Sequence, residues 1–168
     1  EVWVSTDSSS IKSVAKSLGA KVIDRPSEIS NDKSPSEEAL IHFAENVDFD
    51  VVVFMQATSP LMQPDHINDG LEMMKEYDSV FSAYKEHWLP RWTLSVTPYN
   101  FPSLGKRGMR QDYKDVWVEN GAFYITSKDQ LLESKNRVSG NIGVYEMKPQ
   151  ESVQIDNPSD IDFVEKLL

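Results

Sequence analysis

The sequence predicts an α/β protein built as a three-layer open sheet, mostly parallel, with helices on both faces. Three observations carry this. Short apolar runs alternate with segments of helical periodicity over the first half of the chain. The run Val51-Val52-Val53-Phe54 is continuously apolar, which suits a strand buried on both faces. It ends in a polar tip of Gln56, Thr58 and Ser59, and Pro60 then stops the strand. In open α/β sheets ligands bind beyond the carboxyl ends of strands. The tip therefore reads either as a substrate contact or as a plain polar turn.

Glu1 to Ser5 reads as a strand closed by Thr6-Asp7. Ser8 to Ser10 can cap a helix whose apolar face is Ile11, Val14, Ala15 and Leu18, ended by Gly19. Lys21 to Asp24 is a second strand, so the chain opens with a β-α-β unit and a right-handed crossover. After a polar loop from Arg25 to Lys33, Ser34-Pro35-Ser36-Glu37 reads as a helix start, with Ser34 as N-cap and Glu37 closing a capping box. Leu40, Phe43, Ala44 and Val47 form its buried face. Pro64-Asp65 starts a helix with Ile67, Leu71 and Met74 inward, and Ser79 to Ala83 is a strand.

The alternation then stops. Residues 84–116 hold Trp88, Pro90, Arg91, Trp92, Pro98, Pro102, Gly105 and Gly108, with a basic patch at Lys106, Arg107 and Arg110. The segment is too long for an ordinary connection. Its tryptophans favour an arm that packs on a second subunit over a flap on the same chain. Val116 to Thr126 returns to the sheet, and Asn120-Gly121 inside it suggests a bulge or a close backbone approach. Ser127 to Glu133 is a short helix and Asn141 to Met147 a strand. Asn157-Pro158-Ser159-Asp160 starts the last helix, with Ile161, Val164 and Leu168 inward.

The 168 residues suffice for one domain with a core, and no repeat or low-complexity linker divides them. No apolar run is long enough to span a bilayer. The chain has no cysteine, which removes disulfides and thiolate sites and fits an intracellular, cytoplasmic protein. Twenty-seven acidic against 17 basic residues give a net charge of -10, which argues against a nucleic-acid surface. It leaves a nucleotide substrate open, since a few arginines and a metal ion suffice for phosphates. His42, His66 and His87 have no metal-binding spacing. His42 and His66 read as surface residues on helices.

Several stretches together resemble the acylneuraminate cytidylyltransferases, or CMP-sialic acid synthetases. They are Val4-Ser5-Thr6-Asp7, Arg25-Pro26 with Ser34 and Ser36, Gln56-Ala57-Thr58-Ser59-Pro60-Leu61, Arg110-Gln111, Glu119-Asn120-Gly121-Ala122-Phe123-Tyr124, and Ile155-Asp156. They follow the family's order over nearly the whole chain. The resemblance implies a nucleotide-diphospho-sugar-transferase-like fold for residues 1–168, with the arm as an insertion at about 84–116. It implies a homodimer, and a nuclear setting in a vertebrate. It also implies a reaction, in which the anomeric hydroxyl of a nine-carbon keto-sugar acid attacks the α-phosphorus of CTP. Pyrophosphate leaves, and Mg2+ serves on the phosphates.

The same resemblance assigns residues. Arg25 and Ser36 match cytosine-side contacts, with Ser34 where backbone approaches the base. Gln56, with Thr58 and Ser59 beside it, matches the sugar contact. Arg91 stands near the sugar carboxylate, which a planar guanidinium suits. Arg110 matches a basic residue on the dimerisation arm, and Asn120 and Tyr124 match the sugar-side wall. Asp156 matches the metal-binding and catalytic carboxylate; as plain structure it precedes a helix start, where negative charge is favoured.

Two features depart from that pattern. The family's first strand and its Gly-, Ser- and Lys-rich triphosphate loop have no counterpart here, so the domain is expected to be N-terminally incomplete and inactive by itself. Gln154 stands where the family has a first metal-site aspartate, and an amide is a weaker magnesium ligand. A non-catalytic relative that binds sugar acid or a partner subunit, and a cytidylyltransferase for ketodeoxyoctonate, remain alternatives.

Overall fold

The computed structural model describes residues 1–87, 89–101 and 108–167. Trp88, Pro102, Gly105, Lys106, Arg107 and Leu168, singled out above, lie outside these described residues. Strand β1 (Trp3–Thr6), helix α1 (Ser9–Ser17) and strand β2 (Lys21–Asp24) form the expected parallel β-α-β unit. Ser8 caps α1 by accepting the Ile11 N–H at 3.5 Å. At the other end Gly19 takes φ 84, and Ala20 N–H reaches Ala15 O at 3.0 Å in a Schellman closure. Periodicity placed the helix correctly but not its burial. Ala15 is covered, while Ile11, Val14 and Leu18 stand exposed, because the two-stranded sheet is too narrow to cover more than one row of side chains.

Helix α2 (Ser36–Asn46) begins after Pro35, which is still extended at φ -67, ψ 153. Ser34 is therefore not its N-cap; the Ser34 hydroxyl points back to Glu28 O at 3.5 Å. Strands β3 (Val51–Met55), β4 (Ser79–Glu86), β5 (Val116–Ser127) and β6 (Ile142–Glu146) form a second sheet in the order β3-β5-β4-β6. The α/β class stands, but the larger sheet is mixed rather than mostly parallel: β5 runs antiparallel to both β3 and β4, and only β4–β6 is parallel in it. The cause is the arm. It leaves at the end of β4 and returns into β5 beside it, and an antiparallel return needs no crossover helix. Among the described residues β3 pairs with β5 alone, so it is an edge strand. Val51 and Met55 at its ends are exposed, where burial on both faces was expected.

Helix α3 (Pro64–Met73) covers one face of this sheet over Val80, Ala122, Phe123, Ile125 and Met147. Helices α2 and α4 (Lys128–Ser134) cover the other through Leu40, Ala44 and Leu131. On α3 it is Gly70, not Leu71, that faces inward. A β-carbon at Gly70 would lie 2.9 Å from both Ile125 Cδ1 and Phe123 Cε2, so the missing side chain sets how closely helix and sheet approach. His66 is buried rather than on the surface. Its Nδ1 accepts the Gln63 N–H at 3.2 Å at the start of α3, and its Nε2 lies 3.6 Å from Glu151. Helix α5 (Pro158–Val164) buries Val164 and leaves Ile161 exposed.

Candidate active site

The site is built on the bulge that Asn120-Gly121 announces. Between the pairs Phe81↔Tyr124 and Ala83↔Glu119, β4 advances two residues while β5 advances five. The extra residues are 120–123 of β5, and they are held by Ser82 of β4, which is fully buried. Its hydroxyl donates to Asn120 Oδ1 at 2.6 Å and accepts the Phe123 N–H at 2.9 Å. Asn120 spends its other polar atoms inside the protein too: Nδ2 donates to Ser152 Oγ at 2.9 Å, and Oδ1 also accepts the Ala122 N–H at 3.2 Å. Gly121 takes φ 68, which a glycine adopts without strain.

Three distant segments meet at this bulge. Gln56, just past β3, donates its N–H to Ala122 O at 3.2 Å, and its amide lies against Gly121. The Gln56 turn closes by Ser59 N–H to Gln56 O at 3.2 Å. Thr58 O accepts the Ile155 N–H at 2.9 Å, which docks the segment before α5 onto the turn. From that segment Gln154 donates its amide to Asn120 O, and Asp156 faces an open cavity of about 430 Å³ lined also by Tyr84, Glu119, Asn120 and Ser152. Ser59 is buried and its hydroxyl has no hydrogen-bond partner among the described residues, an uncommon state for a buried polar atom.

Tyr124 stacks on Phe54 with ring centroids 6.1 Å apart and donates its hydroxyl to Glu119. Burial pushes the phenol's pKa up, and the Glu119 carboxylate adds to the effect. Tyr124 therefore stays a donor, locked to a carboxylate at the cavity wall. The Arg137 guanidinium lies 4.3 Å from the Tyr124 ring and pairs with Glu37 of α2 at 3.3 Å.

Asn120 and Asp156 line this cavity. Gln56, Thr58 and Tyr124 adjoin it through Gly121, Ile155 and Glu119, and Ser59 is buried in the Gln56 turn behind them. Arg91 does not line that cavity. It lines a second cavity of about 310 Å³ with Glu86, Tyr99 and Tyr113, whose Glu86↔Val116 pair lies two residues further along the ladder than Tyr84↔Val118 of the first. Arg110 is exposed on a short turn at 110–112. Arg25 and Ser34 lie in the segment between β2 and α2 and Ser36 opens α2; Arg25 Nε donates to Ser30 Oγ at 3.1 Å. Sequence reasoning missed Ser82, Glu119 and Ser152. A serine amid apolar strand residues was the one available signal for Ser82; Glu119 stood in the resembling stretch 119–124 without a role, and Ser152 gave no signal.

Comparison with known structures gives the class. The fold matches CMP:2-keto-3-deoxy-manno-octonic acid synthetase complexed with CTP, with a TM-score of 0.69 at 16% identity, covering 99% of this chain and 80% of that one. At that identity the likeness establishes the fold. The family profile described as cytidylyltransferase matches residues 1–168, and the chain belongs to the cytidylyltransferase family. Among its relatives are N-acylneuraminate cytidylyltransferase A of Danio rerio, 39% identical over 172 residues covering 96% of this chain, and N-acylneuraminate cytidylyltransferase of Oncorhynchus mykiss, 38% identical. The chain spans 39% and 38% of the lengths of these two proteins.

Proposed function

We propose that this chain forms the nucleotidyl-transfer site of an enzyme that joins CTP to a nine-carbon keto-sugar acid of the sialic acid type, releasing pyrophosphate. The observation that carries this reading is the meeting of Gln56, the Asn120-Gly121 bulge and Asp156 beside one open cavity, in a chain matched along its length by the cytidylyltransferase family. In this reading the Gln56 tip with Ser59, and Tyr124 held behind Glu119, serve the sugar side, and the Ser59 hydroxyl, without a partner among the described residues, takes its hydrogen bond there. Arg25, Ser34 and Ser36 serve the cytosine side. Chemistry of this kind rests on holding the attacking hydroxyl in line with the α-phosphorus, more than on covalent participation by the protein.

The donor set fits a magnesium ion held mainly by substrate. Among the described residues no group of three acidic or histidine side chains is placed to hold a metal ion by itself, and the Asp160 carboxylate is engaged by backbone N–H groups. Asp156 would hold Mg2+, with phosphate oxygens and water completing its shell, and the ion would neutralise phosphate charge. Residues Leu94, Val96 and Tyr99 stand exposed on the arm, which supports a homodimer in which Arg110 reaches the second copy's site.

Calorimetry with CTP, with N-acetylneuraminic acid and with ketodeoxyoctonate tests the reading. Binding of CTP together with the nine-carbon acid is expected. Binding of sugar without nucleotide would replace the enzyme by a non-catalytic relative, and preference for the eight-carbon acid would change the substrate.

A further inference from the structure

Arg91 is restrained at three points although it sits on the arm and its side chain is 51% exposed. Its N–H donates to Asn100 Oδ1 at 2.7 Å, and its carbonyl accepts the Tyr99 N–H at 2.9 Å. Asn100 Nδ2 also holds Leu89 O at 2.8 Å, so one amide staples the backbone on both sides of Pro90. The third restraint is on the side chain: Arg91 Nη2 donates to Glu86 Oε2 at 2.5 Å. Glu86 is the last residue of β4, and its side chain is 19% exposed. A loop arginine placed this firmly is being aimed at something.

The register says where it aims. Tyr84↔Val118 and Glu86↔Val116 are successive same-face pairs of the β4–β5 ladder. Tyr84 and Val118 line the cavity that holds Asp156, and Glu86 and Val116 line the cavity that holds Arg91. Two residues of strand separate the cavities by roughly 7 Å, so both open on one face of the ribbon. A ligand of more than a few carbons reaches from one to the other.

Resting on the function proposed above, we propose that Glu86 is the positioning residue for acidic-sugar recognition. It holds one end of the Arg91 guanidinium, so that the remaining N–H edge meets the substrate carboxylate. A planar guanidinium has donors enough for both partners, and only Nη2 is taken by Glu86. The competing idea is that Glu86 stands in for the substrate carboxylate and is displaced by it. That is disfavoured because a largely buried carboxylate would then lose its counter-charge.

The test titrates N-acetylneuraminic acid and its methyl ester into the wild-type chain, Glu86→Gln and Glu86→Asp, with thermal melts as a folding control. The wild type binds the acid more tightly than the ester. Glu86→Gln weakens the acid roughly tenfold, as expected for a misaimed charge-assisted contact, and leaves the ester unchanged. Glu86→Asp keeps the charge one methylene short and falls between. Unchanged or tighter acid binding in Glu86→Gln overturns the inference and leaves the proposed function standing, and so does an equal loss for acid and ester. A wild type that does not prefer acid over ester removes the substrate reading and the inference together.

Discussion

Gln56 and Gln154 both crowd Gly121: a β-carbon built there would lie 2.5 Å from Gln56 Oε1 and 2.6 Å from Gln154 Nε2. One glycine therefore lets the strand-tip turn and the segment before α5 meet on β5. It does so by lacking a side chain and by taking φ 68. Gly121→Ala meets both obstacles. The left-handed backbone costs about 1–2 kcal/mol, and displacing two amides adds to it. A loss of roughly 2–4 kcal/mol in denaturant unfolding is expected, with Asp156 moved away from Gln56; a melt equal to wild type would refute the close approach.

Ser82→Ala should cost about 1–3 kcal/mol, because it leaves the buried Phe123 N–H without a partner. The bulge would slip before the sheet unfolds. Amide exchange at Ala122 and Phe123 should therefore rise more than at Ile125, and uniform protection across β5 would contradict this.

For Gly70→Ala two effects compete. Alanine in a helix is favoured over glycine by about 1 kcal/mol. The new methyl, however, meets Ile125 and Phe123, both fully buried and unable to yield cheaply; overpacking of this kind costs about 1–3 kcal/mol. Net destabilisation is expected, read as a lower melting temperature. A higher one would mean that α3 can move off the sheet.

Asp160 gives a pH prediction. Its Oδ2 accepts N–H groups from Asn157 at 2.7 Å and Asp156 at 2.8 Å, which hold its pKa below the usual carboxylate value. A depressed folded pKa means that the stabilisation is present above the unfolded value, about 3.9, and is lost as pH falls through the folded one. Asp160→Asn should thus lower the melting temperature at neutral pH, and the gap should close as pH drops below about 4. A gap independent of pH would show that the carboxylate does not cap α5.

How much of this was legible can be told residue by residue. β2 and β3 fall where their apolar runs end, and Gly19 closes α1, because these depend on side chains a few positions apart. Asn120-Gly121 announced the bulge, since few other residues tolerate such backbone. Ser34 was misplaced as a cap because Pro35 extends the chain by one more residue. Leu71 was misread because periodicity does not see how near a helix lies to its sheet. The Gln56 tip and Asp156 were visible as resemblance; that they share a place with Glu119 and Ser152 was not.

The sequence alone determined the α/β class, the elements and the polar tip after β3, because propensity and patterning act over a few residues. Only the tertiary structure decided that β5 runs antiparallel between β3 and β4, that Gln56 and Gln154 share Gly121, and that Glu86 grips Arg91. Pairing direction and contacts between distant segments come from packing and hydrogen bonding in three dimensions, and no local pattern encodes them.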